Sequence, residues 1–75
     1  MKLKTVNVIE LNDLGMPTQL KSFPDDKQGN GEAELLFIQL VREHENAVSH
    51  EEMETLIDDG MWSDGGWTVL LVHST

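Results

Sequence analysis

Residues 31–45, GEAELLFIQLVREHE, decide the fold. Ala33, Leu36, Phe37, Leu40 and Val41 fall there at i, i+3, i+4, i+7 and i+8, the stripe of an amphipathic helix. Asn30 is placed to cap its start. Glu32 and Glu34 sit in or near the first turn, where the helix dipole favours negative charge. The spacing predicts a helix over about residues 31–45. Leu35 and Ile38 are also apolar but fall off the main stripe. They either widen the buried face or supply anchors for an interface.

Downstream, Ser49-His50-Glu51-Glu52 fits a capping box, in which a hydroxyl and a glutamate answer each other's free amides. Met53, Leu56 and Ile57 give this short second helix a buried face, and Gly60 suits a left-handed end. Asp64-Gly65-Gly66 reads as a tight turn, and Trp67 to His73 as a last strand. That strand is apolar on both sides, with Trp67, Val69 and Leu71 opposite Leu70 and Val72, as expected of a central strand.

Upstream, Thr5 to Leu11 is rich in β-branched residues and reads as a first strand, with Val6 and Val8 opposite Ile9 and Leu11. Asn12-Asp13-Leu14-Gly15 supplies turn residues. Thr18 to Phe23 is polar enough for an edge strand, and Pro17 before it lacks the donor a central strand needs. Residues 24–31, PDDKQGNG, read as a polar loop. The expected architecture is ββααβ, an α+β two-layer sandwich. Its three-stranded antiparallel sheet has the order 2-1-3, with both helices on one face. No linker or repeat divides residues 1–75, so one domain is expected. The other sheet face is left without a cover, which suggests a homodimer.

Composition narrows the function. A chain of 75 residues buries only about 60% of its unfolded surface, so it is marginal alone. With no cysteine, disulfides cannot compensate. Lys2 and Lys4 are followed by no apolar h-region, and the apolar runs Leu35–Ile38 and Val69–Val72 are far below membrane-spanning length. A cytoplasmic protein without membrane contact is expected. The formal charge of −9 opposes direct binding to nucleic acid, which rests on Lys and Arg.

No constellation predicts catalysis, a metal or a cofactor. His44 and His50 have glutamates near them but no zinc-ligand spacing, and His73 stands alone; solvated histidines are expected. Ser49 beside His50 is accounted for by capping. The Gly29-Asn30-Gly31 loop lacks the flanking strand of a dinucleotide site and the lysine of a P-loop.

Charge does carry a signal. Eight carboxylates and no Lys or Arg lie between Glu43 and Asp64, whereas all five basic residues come earlier. The expectation is a non-enzymatic protein-interaction module. Its acidic surface comprises Glu43, Glu45, Glu51, Glu52, Glu54, Asp58 and Asp59 and meets a basic protein surface. Two alternatives are a nucleic-acid-mimicking inhibitor of a DNA- or RNA-handling enzyme, and a small metal-dependent enzyme or subunit using His44 and His50. Trp62 packs across the Ser63–Gly66 turn or serves as an exposed anchor beside the acidic patch.

Overall fold

The computed structural model describes residues 4–74; the reading of Met1 to Leu3 lies outside them. In chain order the elements are β1 (Thr5–Leu11), β2 (Pro17–Pro24), α1 (Lys27–His44), α2 (His50–Asp59), β3 (Met61–Ser63) and β4 (Thr68–Ser74). The strands form one antiparallel sheet in the order β2-β1-β4-β3. The fold is α+β with two helices and an antiparallel sheet, but the sheet has four strands rather than three. The chain order is ββααββ instead of ββααβ.

The added strand is Met61-Trp62-Ser63, paired with Leu70, Val69 and Thr68. Three residues are too few to display a strand's alternation, so the sequence shows only a helix end followed by a turn. Gly60 does both jobs. At φ 72° it caps α2, donating its N–H to the carbonyls of Leu56 and Ile57. Its own carbonyl accepts from the Leu71 N–H at 2.8 Å, which ties the cap to the sheet. A Cβ here would meet the Leu71 carbonyl oxygen at 2.7 Å, so glycine is required twice over.

Helix α1 begins four residues before the expected position. Its N-cap is Asp26, whose carboxylate accepts from the Gly29 N–H at 2.7 Å. Asn30, the expected cap, lies inside the helix and donates its amide to Asp25 Oδ1 at 2.8 Å. Two glycines in the first turns hide this start from any propensity argument. Gly29 is there for space, because the helix packs so closely on the end of β2 that a Cβ would overlap the Pro24 carbonyl.

Strand alternation sorts the sheet into two faces. Val6, Val8, Val69 and Leu71 turn toward the helices and pack with Phe37, Leu40, Val41, Met53 and Trp62 in one core. Full burial of a side chain such as Phe37 contributes about 1.5–3 kcal/mol. Ile9, Leu20, Leu70, Met61 and Val72 turn the other way. The molecule measures 39 × 29 × 16 Å between Cα extremes. Layers pack about 10 Å apart, so its thinnest dimension accommodates one sheet and one helical layer. The second sheet face therefore has no cover among the described residues.

Candidate interaction surface and an enclosed Glu–His pair

Helix α2 is built to hold its acidic face outward. The Ser49 hydroxyl accepts from the Glu52 N–H at 3.1 Å and fixes the first turn. Met53 is buried, and Leu56 and Ile57 pack half-buried against the core. Glu51, Glu52, Glu54, Asp58 and Asp59 are all exposed, as are Glu43 and Glu45 at the end of α1. Their only ion-pair contact among the described residues is between Glu54 and His50, 3.1 Å apart on the exposed surface. Every ion pair among the described residues uses a histidine, and none joins a carboxylate to Lys or Arg. Arg42, the nearest cation in sequence, directs its guanidinium at the Val48 carbonyl.

The acids of α2 are not equivalent. Glu51 and Glu52 occupy the first turn, where the dipole stabilises negative charge, but Asp58 and Asp59 occupy the last turn, where it opposes it. No basic residue compensates in that last turn.

The three apolar candidates separate. Leu35 is 68% exposed on the outer side of α1. Ile38 is half-buried and packs against the core. Trp62 lies in the core at 7% exposure, on the strand β3 that the sequence does not reveal.

A cluster absent from the sequence reading lies beneath Trp62. Glu10 shares the inward phase of Val6 and Val8 on β1 and is only 5% exposed. Its Oε2 meets His44 Nε2 at 2.8 Å, while its Oε1 accepts from the Thr18 hydroxyl at 2.7 Å and the Gln19 amide at 3.4 Å. The His44 ring stacks on Trp62, with centroids 5.4 Å apart and planes 17° apart, and lies 4.8 Å from Trp67. So His44 is not the solvated histidine expected at a polar helix end. Burial works against ionisation of Glu10, but the hydrogen bonds from Thr18 and His44, the His44 charge and the Gln19 amide outweigh it. Its carboxyl is held below the ordinary glutamate value. The clue was parity: a glutamate two residues after Val8 occupies a core position.

Elsewhere the polar residues serve local structure. Asp64 accepts the N–H groups of Gly66 and Trp67 at 2.9 and 2.8 Å, which closes the β3–β4 turn and lowers its pKa. Asp25 is lowered by the Asn30 amide and by His73, 3.4 Å away. His50 stands exposed at the start of α2, where it meets Glu54. Among the described residues no three His or carboxylate groups are grouped to hold a metal. A concavity of about 350 Å³ lined by Lys4, Thr5, Ser22, Phe23 and Pro24 lies at the other end of β1 from Glu10. No helix of the described residues is long and apolar enough to cross a membrane. Comparison with family models, with curated proteins and with solved structures gives no match.

Proposed function

We propose that the protein is a non-enzymatic interaction module that offers the acidic face of α2, with Glu43 and Glu45 beside it, to a basic surface of a partner protein. The observation that carries this reading is the placement of Asp58 and Asp59. They are exposed, no Lys or Arg of the described residues pairs with them, and they sit at the helix end where negative charge lowers stability. Solubility alone does not call for acids at that end, since the same charge on the first turn would favour the helix. A cation-rich partner would relieve the repulsion on binding and be drawn in at long range.

The enclosed pair supports a non-catalytic reading as well. Glu10 and His44 have the chemistry of an acid–base dyad, but both Glu10 oxygens are already engaged, one by Thr18 and Gln19 and the other by His44, and the His44 ring lies against two tryptophans.

The test is capture from a native lysate on the immobilised protein, against a variant with Glu51, Glu52, Glu54 and Asp58 changed to Lys. A specific basic partner is retained by the native protein at low salt. It is lost with the variant and released at roughly 0.5 M salt, where exposed charges are strongly screened. Retention through both changes would overturn the acidic-face reading.

A further inference from the structure

The sheet ends in two edges that are built differently. The Leu71 N–H donates to the Gly60 carbonyl at 2.8 Å and the Asp64 N–H to the Trp67 carbonyl at 3.3 Å, so Gly60 and Asp64 turn their backbone toward β4. Antiparallel alternation then turns Trp62 toward β4 as well. Met61 and Ser63 direct their N–H and C=O groups away from the sheet. Both residues are exposed, although α2 packs against the same strand. By the same alternation, the bond from the Asp25 N–H to the Lys4 carbonyl turns Leu20 and Ser22 outward on β2. That edge carries devices that discourage a further strand: a proline at each end, Lys21 between them and a register shift against Glu10 and Leu11. The β3 edge has no proline, no lysine and no shift. Acids bracket it instead. Asp58 and Asp59 come immediately before Gly60, and Asp64 directly follows Ser63, all three exposed. Among the described residues no Lys or Arg forms an ion pair with any of them.

We infer that the β3 edge accepts an extended basic segment of a partner protein as a further strand of the sheet. The inference rests on the α2 reading and specifies the form in which the basic partner binds. Backbone pairing to Met61 and Ser63 supplies the contact, and lysines or arginines at the ends of the segment and on its helix side meet Asp58, Asp59 and Asp64. Met61, 51% exposed on the outer face, offers an apolar side chain to the residue opposite it. Charge selects against a second copy of this chain. Antiparallel pairing of two β3 edges about a two-fold axis would set Asp58 and Asp59 of one copy beside Asp64 of the other, with no cation between them. The open main-chain groups of two residues make a short contact. Binding is therefore weak, and it needs both the backbone pairing and the charge.

The test uses the full chain and three short capped peptides: alternating lysine and valine, the same peptide N-methylated at every residue, and alternating glutamate and valine. Nuclear magnetic resonance titration reads affinity, and amide hydrogen exchange reads the place of binding. The lysine peptide binds and slows exchange at Met61 and Ser63 about tenfold at saturation, while the Leu20 and Ser22 amides of the other edge are unchanged. N-methylation keeps the charge but removes the backbone donors, and it weakens binding about tenfold or more. Asp58→Asn with Asp59→Asn, both at exposed positions, weakens binding of the lysine peptide several-fold. Salt raised from about 0.05 to 0.5 M does the same. Equal binding of the methylated peptide, or unchanged exchange at Met61 and Ser63, would overturn strand addition and leave the acidic-face reading standing. Equal binding of the glutamate peptide would overturn the charge selection and the acidic-face reading with it. Absence of binding by the lysine peptide at about 1 mM would overturn the inference alone, since lysate capture tests the acidic face separately.

Discussion

Glu10 and the Asp58–Asp59 pair are acids of the same fold under opposite regimes. Glu10 is nearly removed from water, yet each of its oxygens has a donor within 2.8 Å. Asp58 and Asp59 are exposed, have no cationic partner among the described residues and face the negative end of α2. Burial usually makes a carboxylate the liability and exposure makes it neutral. Here the order is reversed, because hydrogen bonds from three neighbours outweigh desolvation at Glu10, and nothing offsets the dipole at Asp58 and Asp59. The contrast separates a charge that holds the fold together from charges that work against it.

The largest expected break comes at Glu10. Glu10→Ala leaves His44 and Thr18 without their buried acceptor and opens space under Trp62; about 3–5 kcal/mol should be lost. Denaturant titration measures it. His44→Leu should also destabilise, but the double variant Glu10→Leu/His44→Leu should cost less than the sum of the single changes, by roughly 1–3 kcal/mol. Additive losses would mean that the two side chains act separately.

Acid should have the next largest effect. Because the folded pKa of Glu10 lies below its unfolded value, its contribution is fully present above the ordinary glutamate pKa of 4.5. It is lost as pH falls through the lower folded value. Melting temperatures of the native protein and of Glu10→Gln should therefore converge as the pH is lowered from the ordinary glutamate value through the folded one. Asp25 and Asp64 are shifted in the same direction and remain in both proteins, so the difference between the two curves isolates Glu10. A constant gap across that range would contradict the assignment.

The smallest effect sharpens the other side of the comparison. Asp58→Asn and Asp59→Asn should each raise stability, by about 0.3–1 kcal/mol at low salt, whereas Glu51→Gln at the first turn should lower it by a few tenths. Thermal unfolding at two salt concentrations resolves the pair of signs. Equal effects at both ends of α2 would show that the dipole does not distinguish them.

These two regions were unequally legible in the sequence. The acidic face of α2 could be read from local chemistry, since Ser49, Met53 and Gly60 set its start, its inner side and its end within twelve residues. The same held for β1 and for the apolar stripe of α1. The Glu10–His44 pair spans 34 positions and needs β1, α1 and the β3–β4 turn in place before its members meet. Strand β3 has the same dependence on distant partners. The start of α1 was obscured because Gly29 is chosen for its close approach to Pro24, against helix propensity.

The neighbouring position of β1 and β4 bears on how the chain reaches this state. Leu11 pairs with Thr68 and Thr5 with Ser74, so the two central strands come from opposite ends of the described chain. The β1–β2 hairpin and the capped α2 form from near neighbours, but the middle of the sheet waits on closure of a loop longer than fifty residues. Such long-range closure places the molecule among slower-folding topologies for its size. Helix α1 packs on β1, β2 and β4 alike, so its inner face is fully covered only once β4 has joined. Until β4 arrives, the inner edge of β1 stays open, and in that interval the chain is most exposed to strand exchange with its own kind.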